Sequence, residues 1–314
     1  QYNTCCRRKN TPAAFVRYKQ EHILMQNRLE KLFRLFIGLL ALLAVVSLAF
    51  VIFFIVKEAL PLFRDVMVGE FLLGKRWMPI AYVGEPSFGI FNFIMATLYV
   101  SLLAMIIASA VGIGAALFLS CVASRKAREL LYPFIDLLAG IPSVIYGFIG
   151  LVVLVKLFMK MGVHTGSCVL AAAILLSVML LPYIISSCSE TILKAKERYL
   201  PASNAMGIDK WHAIASVILP ASWGNILLSM ILAIGRAMGE TMAVMMVIGN
   251  ANLFPTLLGK SETIAAVIAL EMGTAEAGSL HYHGLYAAGL VLMVLLFIIN
   301  AVIAALRSRL IKEA

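Results

Sequence analysis

The chain is 314 residues long, 62% hydrophobic and only 13% charged, against roughly 45–50% apolar content in soluble domains. That balance excludes an ordinary water-soluble globule. The net charge of +10 comes from lysines and arginines flanking the apolar blocks, where anionic lipid accounts for them without nucleic acid. The blocks are long enough for a helix to cross a hydrocarbon layer of ~30 Å at about 1.5 Å per residue. A backbone in lipid must satisfy its own hydrogen bonds, so an all-α polytopic membrane protein is expected.

In chain order, residues 1–32 form an N-terminal segment, and the amphipathic "QNRLEKLFRLF" runs from it into the first span. The chain opens on glutamine, so an initiator or a leader is to be expected before it. The first span, 33–56, is too long for a signal-peptide core and reads as a retained, peripheral helix. Residues 57–91 follow as an outer segment in which Pro61, Pro79 and Pro86 break any long helix. Its Trp77 stands where an interfacial aromatic is expected. Five further spans, 92–122, 131–158, 167–188, 223–250 and 285–306, make a core from 92 to 306, and 307–314 form a tail.

Counted over the connecting segments, 18 basic residues fall on the N-terminal side of the membrane and seven on the other. The asymmetry predicts six transmembrane helices with both termini cytoplasmic, the 189–222 loop inside and 251–284 outside. Cys121, Cys168 and Cys188 read as small apolar residues, and the adjacent Cys5 and Cys6 as reduced cytoplasmic thiols. No internal repeat is visible, which gives an inverted-repeat carrier no support.

Three stretches stand out. In "DLLAGIPSVIYGFIGLVV", Gly140 and Pro142 interrupt the third span and free backbone groups. Pro142, Ser143 and Tyr146 then either line a path or mark a packing kink. In the 189–222 loop, Ile192, Leu193, Ala195, Tyr199 and Leu200 alternate with charges as an amphipathic helix. Pro201 is placed to open a second helix, Gly207 to turn the chain, and Pro220 to end or kink a third. The result is a folded knob under the membrane, or a helix lying flat on lipid.

The third stretch is "IGRAMGETMA". Positions 236, 239, 240 and 243 share a helical face at i, i+3, i+4 and i+7, so Arg236 and Glu240 are expected to form an ion pair. Gly235, Gly239 and Ala243 form a small-residue row that permits close helix approach. An arginine at mid-membrane costs roughly 2.5–3.5 kcal/mol. It is either structural glue or an anion-facing donor fork, with Glu240 compensating it and preventing a sink. His281 and His283, near Glu276, read as an interface loop more readily than as a metal site. No span carries a clustered hydrolytic or metal constellation, and no G-x-x-x-x-G-K-[ST] phosphate loop occurs.

The loop resembles the coupling loop of ABC-importer permeases, E-A-A, three residues, Gly, nine residues, I-x-L-P. Ala202, Ser203, Gly207, Leu219 and Pro220 fit that pattern, with Pro201 in the place of its glutamate. "GIPSVIYGFIGL", this loop and "GRAMGETMAVMMVIGN" occur together and in order. That set is similar to the phosphate-specific ABC transporter permeases. "GETMAV" with "GKSETIAAVIALEMGTAEAG" looks more like the PstC subunit than its PstA partner.

The match covers about residues 88–306; residues 1–35 match nothing recognised. The resemblance implies a type I ABC-importer permease fold and a non-enzymatic subunit of a phosphate importer in a bacterial inner membrane. It holds no cofactor of its own, ATP and magnesium being bound by a partner ATPase. The implied partners are a homologous PstA-like permease, two copies of that ATPase and an extracytoplasmic phosphate-binding protein. A permease for another oxyanion, such as phosphonate or sulfate, and a stand-alone anion channel or carrier are the rival readings.

Overall fold

In the computed structural model, residues 12–80 and 85–312 are described. They fall into two compact units, divided between Ile55 and Val56. Helix α1 (Pro12–Ala59) opens on a proline, which suits a first turn whose N–H has no partner. The amphipathic stretch and the first span are one helix here, and its apolar side chains from Phe33 to Phe54 are exposed, as contact with lipid requires. Cys5 and Cys6 lie outside the described residues.

The second unit begins with short pieces: α2 (Leu62–Asp65), α3 (Val68–Leu73), and strands β1 (Trp77–Met78) and β2 (Ser87–Phe88), paired antiparallel with Trp77 opposite Phe88. Helix α4 (Phe91–Leu117) widens into a π-turn, Phe118–Val122. Next come α5 (Arg125–Gly140), α6 (Ser143–Ile149), a π-turn at Gly150–Val155 and α7 (Lys156–Lys160). Helix α8 (Val169–Ala205) is long and unbroken. After α9 (Lys210–Ala213) and a π-turn at Ile214–Ile218, α10 (Leu219–Gly239), α11 (Met242–Ile248), α12 (Ile264–Glu271) and α13 (Leu280–Lys312) complete the chain.

Six helical stretches among the described residues are long and apolar enough to cross a membrane: 33–65, 91–122, 143–160, 169–205, 210–239 and 280–302. Helices α4 and α8 pack along their length, with α10 against both. Their seam is built from small residues such as Ala104, Ala108, Ala172 and Ala173 interleaved with Leu176, Leu180 and Ile184. A Cβ on Gly112 would lie 2.7 Å from Ile184 Cγ2, so the glycine sets how near the two helices come. A second cluster joins Leu62, Phe71, Trp77, Phe88 and Phe93 to Ile264, Val267 and Leu285.

The structure moves several predicted boundaries. The third span is 143–160 rather than 131–158, because α5 is a separate amphipathic helix with no buried residue. Four charges in its first turns, Arg125, Lys126, Arg128 and Glu129, keep it out of a hydrocarbon core. The fifth stretch ends at Gly239, not at 250. Pro201 lies inside α8 and opens no new helix. The carbonyl it leaves without a donor belongs to Glu197, on an exposed turn where water serves it. Pro220 sits in the first turn of α10 and ends nothing, the π-turn before it absorbing the lost amide. Trp77 is 8% exposed, so it is a core residue of the outer cluster and not a lipid anchor.

Candidate functional site

The interruption at Gly140–Pro142 forms as the sequence predicts. Ile141 and Pro142 are extended, with ψ of 127° and 141°, between α5 and α6. In a continuous helix the carbonyl of Leu138 would accept from the residue four positions on, which is Pro142 and has no N–H. The buried Tyr146 supplies the substitute: its hydroxyl donates to Leu138 O at 2.9 Å, holding the two helix ends in register. Pro142 itself is exposed and Ser143 half-buried.

A second interruption, at 240–241, was not visible in the sequence. Helix α10 ends at Gly239, and Glu240 is extended (φ −71°, ψ 120°) before α11 begins. The shared helical face of 236, 239, 240 and 243 therefore does not exist, nor does the continuous small-residue row. No ion pair links Arg236 to Glu240 among the described residues. Each charge is instead placed at a helix end. Arg236 sits in the last turn of α10, at the negative end of its dipole. Glu240 Oε1 accepts from the Ala243 amide at 3.3 Å and caps the first turn of α11. Arg236 is exposed and makes no hydrogen bond within the described chain, so its donors are free. Gly239 beside it is open, with nothing within 4 Å of a Cβ position.

The two interrupted segments meet. Helix α6 crosses α11 at Gly147, where a Cβ would lie 3.0 Å from Ala243 Cα and 3.3 Å from Met242 O. Only a glycine allows backbone contact of that kind. Pro142, Ser143 and Tyr146 thus stand one helical contact away from the Glu240 break.

At the other end of α8, Gly207 has φ +74° and closes the helix in a Schellman arrangement. Ile208 N donates to Ser203 O at 3.0 Å and Gly207 N to Asn204 O at 3.0 Å. Asp209 Oδ2 accepts from Trp211 N at 2.9 Å and starts the return helix. Ser203 is buried and gives its hydroxyl to Tyr199 O. Ala202 and Pro220 are exposed and Leu219 is half-buried, while Met206 and Trp211 project as exposed apolar groups at the tip.

The outer cluster holds polar groups that the sequence left unassigned. Glu271 Oε2 accepts from Trp77 Nε1 at 2.8 Å and meets His281 Nε2 at 2.8 Å. His283 Nδ1 lies 2.7 Å from Glu58 O. The histidine pair is thus tied to Glu271 and Glu58, not to Glu276, and no metal-ligating group of three occurs among the described residues. Glu262 is 7% exposed and has no hydrogen bond or ion pair within the described chain. Burial first, and then the negative charge of Glu271, push its carboxyl up to about 7. Its chain neighbours Lys260, Ser261 and Thr263 are polar, so nothing in the sequence told that its side chain is buried.

The six helical stretches long and apolar enough to cross a membrane, two of them bounded by interruptions at Pro142 and Glu240 and one pair joined through a glycine turn, suit a polytopic membrane component. Residues 110–312 match the model of the family described as binding-protein-dependent transport system inner membrane component, and the chain belongs to that family. It is 37% identical to a probable ABC transporter permease, YqgH, of Bacillus subtilis, over 76% of this chain and 78% of that one. It is 32% identical to the phosphate transport system permease protein PstC of Xylella fastidiosa, over 87% and 90% of the two chains. For the PstC of Haemophilus influenzae the identity is 31%, over 92% and 95%. Among solved structures, the inward-facing MetNI methionine ABC transporter matches with a TM-score of 0.55 and 17% identity, covering 69% of this chain and 94% of that one. That likeness concerns the fold, which is the type I importer permease architecture.

Proposed function

We propose that the chain is the PstC-like permease subunit of an ATP-driven importer of inorganic phosphate. Both termini lie in the cytoplasm, the turn around Gly207 docks on a partner ATPase, and ATP with its magnesium is bound and hydrolysed there. A PstA-like permease completes the path, a second ATPase copy the motor, and an extracytoplasmic phosphate-binding protein delivers the substrate. Membership of a binding-protein-dependent family and the PstC relatives support this assembly. A folded knob ending in exposed Met206 and Trp211 has no use in a stand-alone channel.

The observation that carries the substrate reading is the unpaired, exposed Arg236 at the broken end of α10. A guanidinium is always charged and offers a planar fork of donors matched to phosphate oxygens. Glu240, turned away to cap α11, does not occupy that fork. Its negative charge at the neighbouring helix end still lowers the net attraction, so a bound anion is released.

The test is radiolabelled phosphate uptake at matched membrane levels. Arg236→Gln should abolish uptake, and Arg236→Lys should restore a minor part, because charge without the fork is a poorer match. Near-normal uptake by Arg236→Gln would remove the guanidinium from the path.

A further inference from the structure

Helix α5 leads directly into the Gly140–Pro142 break, yet none of its side chains is buried. Leu130, Phe134 and Leu137 are exposed, so apolar packing within the chain does not fix where it sits. What fixes it is a polar knot at its first two turns.

The π-turn at the end of α4 leaves the carbonyls of Leu119 and Ser120 without backbone donors, the usual condition of a helix C-terminus. Arg128 of α5 donates Nε to Leu119 O at 3.0 Å and Nη2 to Ser120 O at 3.2 Å. Lys196 of α8 donates Nζ to the same Ser120 O at 2.8 Å. Two cations on terminal carbonyls also meet the negative end of the α4 dipole. The buried Ser120 hydroxyl donates to Ser189 O of α8 at 3.0 Å, and Tyr132 of α5 shares a hydrogen bond with Ser189 Oγ at 2.8 Å. Three helices are therefore tied at one point by Ser120, Arg128, Tyr132, Ser189 and Lys196.

The knot lies between the two regions assigned above. From Lys196, α8 continues for about three turns, roughly 15 Å, to the Gly207 turn. From Tyr132, α5 continues for about two turns, roughly 12 Å, to Ile141–Pro142. There Tyr146 grips Leu138 O and Gly147 carries the contact to α11. We propose that this knot is the positioning element through which movement of the ATPase-facing end of α8 is passed to α5, and so to the break at Pro142. A π-turn is a suitable place for it, since its looser register yields without breaking the helix. The inference rests on the reading of the Gly207 turn as the ATPase contact.

The experiment uses the whole transporter in proteoliposomes, with phosphate-loaded binding protein outside, and reads ATP hydrolysed per phosphate taken up. Arg128→Gln with Lys196→Met should leave stimulated hydrolysis within about two-fold of wild type while uptake falls about ten-fold, the scale on which such network substitutions alter coupling. Tyr132→Phe, which deletes a single oxygen, should shift the ratio in the same direction by about two-fold. Arg128→Lys alongside intact Lys196 should return most of the coupling. Hydrolysis and uptake falling in proportion, or a Tyr132→Phe ratio equal to wild type, would overturn the proposal. Wild-type hydrolysis stimulated only by another loaded oxyanion would overturn the phosphate reading instead. Stimulation unaffected by a bulky residue at 207 would overturn the docking assignment.

Discussion

Glu262 gives the sharpest test of the outer cluster. Its backbone is held on both sides: Ser261 gives its hydroxyl to Leu253 O at 2.8 Å, and Ile264 N donates to Thr97 Oγ1 at 3.0 Å. The side chain cannot simply swing to water. Helices α4 and α11 bring no charged residue against it; α12 brings Glu271, and α13 brings His281, already engaged with Glu271. The carboxyl titrates at about 7 in the fold against an ordinary value of 4.5, and that gap corresponds to about 3 kcal/mol. The sign follows from the raised value: the folded protein holds the proton more tightly than the unfolded chain does. Stability from this group is full below about 4.5 and is lost as pH rises through about 7. Glu262→Gln removes the titration while keeping shape. The variant should match wild type at pH 4.5 and exceed it at pH 8, with a thermal midpoint higher by on the order of 5 °C. Unfolding followed by fluorescence in detergent across that range measures the difference. A difference that does not change with pH would mean that the carboxyl titrates alike in the folded and unfolded chains, and the argument would fail.

Gly147→Ala places a methyl 3.0 Å from Ala243 Cα, where backbone must yield; it should destabilise by about 1–3 kcal/mol and depress uptake, read by melting and transport assays. At Gly207 nothing crowds a Cβ, so the cost is conformational alone: Gly207→Asn should be tolerated, whereas Gly207→Val should uncouple stimulated hydrolysis from uptake. In a cysteine-free background, an impermeant thiol reagent applied to intact cells should label a cysteine at 276 and spare one at 210. The reverse pattern would overturn the orientation.

The two helix breaks show what a sequence can and cannot tell. The one at Pro142 is written in the sequence, because proline deletes a donor at a fixed position; that Tyr146 replaces it was not, since only the fold brings a hydroxyl to Leu138. The break at Glu240 has no such mark. Gly-Glu-Thr contains no proline, glutamate is a good helix former, and an i,i+4 Arg–Glu pair is what a continuous helix would favour. Gly207 was legible because a left-handed turn singles out glycine, whereas Pro201 misled, since an exposed helix interior tolerates a lost amide. Arg128 and Lys196 counted only as basic residues in segments predicted to be cytoplasmic. Their partners are main-chain carbonyls, which every residue has and which leave no trace in composition. Trp77 beside Lys75 and Arg76 reads alike as an interfacial anchor and as a buried ring, and Phe88 and Phe93 decide for the second.

Breaking α10 before Glu240 changes the energetics of the charged pair in a way that bears on transport. An intrahelical pair on a solvated helix contributes about 0.2–0.5 kcal/mol, while a charge at the favourable end of a helix contributes about 0.3–1 kcal/mol. Arg236 in the last turn of α10 and Glu240 before α11 each receive the second kind of stabilisation, so separating them costs little or nothing. What changes is the state of the guanidinium. In a continuous helix its donors would be directed at Glu240, and an incoming anion would have to displace a carboxylate. In the broken one the carboxylate accepts from the Ala243 amide, and Arg236 is exposed and not paired with it. The break therefore does two things at once: it keeps the net charge of the region near zero and it leaves the fork free. Helix α11 is seated on α6 through Gly147, so one backbone contact joins the segment after the Pro142 interruption to the one after Glu240. On the proposed reading of Arg236, the contact that joins the two broken helices also bears on how near the Glu240 carboxylate stands to the guanidinium.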